Sequence, residues 1–125
     1  MSSTTTKTIL IIDDSRVSRM FARQYVLDLH PGWLIEEAAS GEEALSVLEA
    51  VMADLVLLDV NMPGIGGLAT AQQLRAKYPE LPICIISANV QSATRDKAAA
   101  MGVGFAAKPI TQERIAQIVS VVEDI

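Results

Sequence analysis

Aromatic residues, cysteine and histidine are scarce in this chain, and it has no long apolar run. Only 4% of its 125 residues are aromatic, so a core must come from Ile, Leu, Val, Ala and Met, as where helices cover a central sheet. A single cysteine, Cys84, excludes an internal disulfide; inside the apolar run 83–86 it reads as a small core residue. The single histidine, His30, precedes a proline at a helix end and reads as a capping or surface residue, not a phosphodonor. No segment approaches the roughly 20 apolar residues of a membrane span. Positive charge is also short: a formal net charge of -5 argues against a nucleic-acid surface and against attraction to anionic lipid.

What the chain does have is a rhythm of short apolar runs, each followed by an amphipathic stretch. Residues 8–12 suit a strand buried on both faces. Residues 15–29 follow with Val17, Met20, Phe21, Tyr25 and Val26 near helical spacing, stopped at His30-Pro31-Gly32. Further strands are expected over 33–38, 55–58, 82–86 and 103–107, the first of these less apolar and so suited to a sheet edge. Helices are expected over 41–52, with Ala44, Leu45 and Leu48 on one face, and from the turn-rich stretch 62–67 to about Tyr78. Two more are expected over 90–101, and over 111–125 with Ile115, Ile118, Val119 and Val122 at i, i+3, i+4, i+7. Alternating βα units with buried strands imply an α/β fold, an open, doubly wound parallel sheet of five strands flanked by five helices. The length fits one domain, 8–125, behind a polar Ser/Thr tail, 1–7, that lacks a signal-peptide core. A cytoplasmic protein is expected.

Ligands of open parallel sheets sit beyond the carboxyl ends of the strands. Those ends carry Asp13-Asp14, Asp59, Ser87 and Lys108-Pro109. If the first and third strands are neighbours, three carboxylates share one crevice, and they cannot all stay ionised without a cation or a raised pKa. Oxygen ligands without His or Cys favour a hard ion such as Mg²⁺, to which Asn61 can add a backbone carbonyl. A cation facing Lys108 makes a plausible phosphoryl site, with central Asp59 as nucleophile and the Ser87 hydroxyl as donor to the phosphate. Singly, each residue has a plainer reading: Asp14 or Ser15 as a helix cap, Met62-Pro63 as a turn, Lys108 as a solvated lysine, Phe105 as core. Together they fall at different strand ends on one side of one sheet.

In this order and spacing the sequence resembles the response-regulator receiver family, in its single-domain, CheY-like and flavodoxin-like form. The matching pieces are the apolar run into Asp13-Asp14, Asp59-Val60-Asn61-Met62-Pro63 with Gly67, Ser87-Ala88, and Gly102 with Phe105 and Lys108-Pro109. The resemblance spans about Thr8 to the C-terminus and implies strand order 2-1-3-4-5. It implies that Asp59 is the phosphoacceptor, that Asp14 binds Mg²⁺ directly and Asp13 mainly through water, and that Asn61 lends its carbonyl. Lys108 would pair with Asp59 and then with the phosphate, through a cis Lys108–Pro109 bond. Ser87 and Phe105 would be the hydroxyl and aromatic switch positions, with Ala88 and Asn89 flanking the phosphate. Such a domain is not a conventional enzyme, but it catalyses its own phosphorylation and dephosphorylation. Its partners would be a histidine kinase or histidine phosphotransfer protein and a downstream output protein, with no nucleic acid bound directly and no membrane insertion.

Helix 90–101 has mostly alanine to bury, and at about 25 cal/mol per Å² a shallow face anchors weakly. The output face is therefore expected to be the fourth helix, fifth strand and fifth helix, with Val121 and Ile125 as a possible dimer contact: a monomer or a weak phosphorylation-dependent dimer. A metal-dependent change at Trp33 is expected as a reporter. Two rivals share the sheet. An aspartate-nucleophile phosphohydrolase of the haloacid-dehalogenase class needs an acid two positions after the nucleophile, where Asn61 stands. A flavodoxin-like binding module needs a first loop that cradles phosphate, which Asp13-Asp14 would repel. A stand-alone receiver is expected, since the sequence stops soon after the fifth helix without a linker, although a receiver cut from a larger protein at the domain edge would look identical.

Overall fold

The first apolar run, Thr8–Ile12, forms β1 in the computed structural model, whose described residues are 6–60, 66–88 and 92–123. The chain continues through α1 (Arg16–Leu29), β2 (Leu34–Ala38), α2 (Gly41–Ala50), β3 (Leu55–Asp59) and α3 (Gly66–Lys77). It ends through β4 (Ile83–Ser87), α4 (Ser92–Ala100), β5 (Gly104–Ala107) and α5 (Gln112–Glu123). The strands pair in parallel in the order β2-β1-β3-β4-β5. This is the expected doubly wound sheet, with the less apolar β2 at one edge.

Alternate residues of the central strands feed two cores. Ile9, Ile11, Leu55, Leu57, Cys84 and Ile86 face the side covered by α1 and α5. Leu10, Ile12, Val56, Leu58, Ile83 and Ile85 face the side of α2, α3 and α4. Both faces of β3 and β4 are buried along their whole length, which accounts for their unbroken apolar sequence. On α5 the expected stripe, Ile115, Ile118, Val119 and Val122, is buried throughout. Cys84 is core as expected, and burial pushes its thiol up to about 11.

α1 departs from its expected inward face. Ala22 and Val26 are its buried residues, whereas Val17, Met20 and Phe21 are 60%, 58% and 56% exposed. The apolar stripe is wider than the contact with the sheet, and the i, i+4 pair Ala22/Val26 wins the close approach because a small residue lets the helix sit nearer. Lys7, assigned to the tail by sequence, is buried, and its carbonyl accepts from the Leu34 N–H at 2.9 Å. Residues 1–5 of the expected tail lie outside the described residues, as do Val90, Gln91, Asp124 and Ile125 from the expected last two helices.

The ends of the helices are fixed by identifiable groups. Ser15 caps α1 by accepting from the Ser18 N–H, and Ser40 caps α2 by accepting from the Glu43 N–H. At the far end of α1, the His30 N–H donates to the Val26 carbonyl, and its Nε2 lies 2.6 Å from Glu123 at the end of α5. The His30 ring also stacks on Trp33, with centroids 3.8 Å apart.

Candidate functional site

Parallel pairing brings every strand's carboxyl end to one edge of the sheet, and the register decides which side chains meet there. Ile12 of β1 lies beside Leu58 of β3, so Asp13 and Asp14 emerge next to Asp59. One carboxylate oxygen from each of Asp13, Asp14 and Asp59 lies within 4.8 Å of the others. Asp13 and Asp59 are buried, and Asp14 is exposed at the mouth. From the end of β5, Lys108 reaches in and places Nζ 3.3 Å from Asp59 Oδ2. The Lys108–Pro109 bond is cis.

The charges in this crevice do not balance. Burial, first, and then the neighbouring Asp59 push the Asp13 carboxyl up to about 6 from its ordinary 3.8, against the hydrogen bond from the Ser15 N–H and the attraction of Lys108. One lysine faces three carboxylates, so a further positive charge would relieve the site. The donor set is all oxygen, with neither His nor Cys among the three residues, which fits a hard divalent ion of the Mg²⁺ type.

Ser87 ends β4 and is buried; its carbonyl accepts from the Lys108 N–H at 2.9 Å, tying the two strand ends together. Ala88, next along, is exposed. Phe105 lies outside the crevice, paired in register with Ile85 in mid-strand. It is half-buried, with the Arg95 guanidinium of α4 5.4 Å from its ring centroid. Asn61 and Asn89, the expected carbonyl ligand and phosphate neighbour, lie outside the described residues.

Trp33 is also away from the crevice. It precedes β2, whose first residue pairs with Thr8 at the start of β1, so a strand of five residues, about 16 Å, separates it from Asp13. Its stacking partner is His30.

Arg19, which the sequence did not single out, and Gly67, which it did, hold the crevice in place. Arg19 donates to the Asp13 carbonyl at 2.6 Å and to Glu37 at 2.9 Å. Gly67 opens α3 so close to β3 that a Cβ there would lie 2.0 Å from the Val60 Cα. The signal for Gly67 was present, since a glycine follows the turn, but its partner is a backbone atom no spacing reveals.

A model of the response regulator receiver domain matches residues 9–120. The transcriptional regulatory protein CitT of Bacillus subtilis is 33% identical over 107 residues, covering 85% of this chain and 47% of CitT. The chain spans less than half the length of the curated relatives it matches. Among solved structures, the Vibrio cholerae chemotaxis protein CheY4 superposes with a TM-score of 0.86 at 26% identity, over 94% of this chain and 99% of that one. The Thermotoga maritima response regulator TrrA, solved with Mg²⁺ and BeF, gives a TM-score of 0.81 at 28% identity over 93% and 98%. The sheet order, the acidic crevice and these likenesses agree: the chain belongs to the response regulator receiver domain family.

Proposed function

We propose that this domain is a cytoplasmic two-component switch that accepts a phosphoryl group on Asp59 in a Mg²⁺-dependent reaction. The observation that carries the reading is the meeting of Asp13, Asp14 and Asp59 within 4.8 Å, with Lys108 3.3 Å from Asp59. Asp13, Asp14, Asp59 and the Asn61 carbonyl would hold the ion, which when bound supplies neutralising charge to the phosphoryl oxygens. An Asp59 carboxylate oxygen attacks phosphorus, the P–N bond to a donor histidine breaks, and the imidazole leaves with the bonding pair and takes up a proton. Lys108 is placed to hold the Asp59 carboxylate and then the new phosphate, while the Ser87 hydroxyl donates to it. Ala88 and Asn89 would flank it. Water attack on the same phosphorus returns the domain to its starting state, so the only chemistry is its own phosphorylation and dephosphorylation.

The donor, a histidine kinase or histidine phosphotransfer protein, would dock on α1. Val17, Met20 and Phe21 are exposed there, and a hollow lined by Ser18, Phe21, Tyr25, Lys108, Pro109 and Ile110 joins this patch to the reacting lysine. The output partner would read α4, β5 and α5, where Arg95 covers Phe105 and Val121 is exposed. The domain would act as a monomer or a weak phosphorylation-dependent dimer, without direct nucleic-acid contact. Among the described residues no helix is long and apolar enough to cross a membrane.

Incubation with acetyl phosphate tests the chemistry. The wild type gains one phosphoryl group with Mg²⁺ and none without it, and Asp59→Asn gains none; mass spectrometry reads both. Repeated turnover of unrelated phosphate esters would instead mark an aspartate-based phosphohydrolase.

A further inference from the structure

Asp14 contributes a carboxylate to the acidic crevice, yet no described residue hydrogen-bonds that carboxylate. The backbone path therefore fixes the point and the Cα–Cβ vector from which this side chain reaches into the crevice. The peptide unit joining Asp13 to Asp14 is planar, so whatever fixes the Asp13 carbonyl also fixes the Asp14 N–H and the path into the Asp14 Cα. That carbonyl accepts from Arg19 at 2.6 Å. Arg19 is itself held: its Nε donates to Glu37 of β2 at 2.9 Å, and its side chain is 15% exposed. Glu37 is braced in turn by Arg23 at 3.1 Å. The remaining groups of Asp13 are also engaged, its N–H with the Ala38 carbonyl at 3.0 Å and its Oδ1 with the Ser15 N–H at 2.9 Å.

We propose that Arg19, anchored by Glu37, is a positioning residue that aims the Asp14 carboxylate at the cation site through the Asp13–Asp14 peptide. The proposal rests on the reading of the crevice as a Mg²⁺-dependent phosphoacceptor. Position and charge make opposite forecasts here. A guanidinium acting by charge alone would repel a cation, so its removal would tighten binding. A guanidinium acting as a brace makes its removal weaken binding, and Lys, with a point charge in place of a planar fork, restores little of it.

The test is a Mg²⁺ titration of the full chain, read from the amide shifts of Asp13, Asp14 and Ser15. Arg19→Gln is expected to raise the dissociation constant about 10-fold, the low end for groups that orient metal ligands. Arg19→Lys is expected to raise it nearly as far. At saturating Mg²⁺ the acetyl phosphate reaction should return to the wild-type rate, since the brace acts on cation binding. Glu37→Asp keeps the charge but shortens the anchor, and a smaller rise is expected; it carries the test if Arg19→Gln does not fold. An unchanged or tighter dissociation constant in folded Arg19→Gln, or wild-type affinity in Arg19→Lys, overturns the proposal. So does wild-type affinity in Glu37→Asp where Arg19→Gln does not fold. A wild type that shows no Mg²⁺-dependent shifts overturns the site reading itself and the brace with it.

Discussion

α1 and α4 both present their N-terminal ends toward the carboxyl edge of the sheet, but among the described residues their anchors lie at opposite ends. α1 is fixed where it meets the site: Ser15 caps it, Asp13 Oδ1 accepts from the Ser15 N–H, and Arg19 ties it to the Asp13 carbonyl and to Glu37. α4 is fixed at its far end. Its one buried residue is Ala98, and the Val103 and Gly102 N–H groups donate back to the Ala98 and Ala99 carbonyls around Gly102 at φ 70, the glycine-terminated stop that L side chains rarely adopt. Arg75 of α3 then donates to five carbonyls: Tyr78, Pro79 and Leu81 after its own helix, and Met101 and Gly102 after α4. The half of the site that would hold a cation is thus braced at the cation. The half that would report it is pinned at its far end, so that a small shift near the site would turn the helix about its pin.

The sharpest way to break the braced half is Gly67→Ala. The added Cβ would lie 2.0 Å from the Val60 Cα and 2.7 Å from the Asp59 carbonyl oxygen. These are backbone atoms of a strand end with neighbours on both sides, so neither can step aside as a flexible side chain would. A loss of about 3 kcal/mol is expected, the upper range for overpacking, seen as a lower urea midpoint. A midpoint within error of the wild type would show that β3 is not held rigidly behind the site.

The pin of α4 is broken by Arg75→Met, which keeps the apolar stem and removes every donor. Several weak bonds from one charged group to carbonyls at two helix ends are worth about 2 kcal/mol together. The loss is expected to be local. Amides of Ala98 to Val103 should exchange faster, while those of Asp13 to Ser15 keep their wild-type protection. Equal acceleration at both places would mean that α1 and α4 are not separately anchored.

The contrast also shows which parts of the molecule sequence could reveal. Strand ends are read by position, so Asp13, Asp14, Asp59 and Lys108 were legible as one cluster before any coordinates. The two arginine anchors were not, because a long side chain bonded to distant carbonyls leaves no periodic trace. Arg75 reaches Gly102, 27 positions along the chain, at 3.3 Å. α1 misled for a different reason: helical spacing marks an apolar stripe but not which part of a wide stripe the sheet will cover, and Val17, Met20 and Phe21 fell outside. Trp33 could not be placed from sequence, because a strand-flanking residue can sit at either end of the sheet until the pairing with Thr8 places Leu34.

The smallest expected effect separates the two halves by pH. Asp13 titrates near 6 in the folded chain against 3.8 as an ordinary carboxyl, so between about pH 4 and pH 6 the folded state binds more protons than the unfolded one. Stability without metal therefore falls as pH rises through this window, and it recovers on acidification until other carboxylates are protonated. The full shift corresponds to at most about 3 kcal/mol; exposed Asp14 and partly exposed Lys108 bring water close, which reduces it to about 1 kcal/mol. A cation among the carboxylates favours their ionised form, so saturating Mg²⁺ is expected to flatten the slope, and Asp13→Asn to remove it without metal. Thermal melts from pH 4 to pH 8, with and without Mg²⁺, measure the slope; amide shifts locate it. Shifts centred near pH 6 should appear at Asp13 to Ser15 and be missing from Ala98 to Val103. The same transition at both ends would show that protonation in the braced half already turns α4, making the pin a hinge that a proton can work.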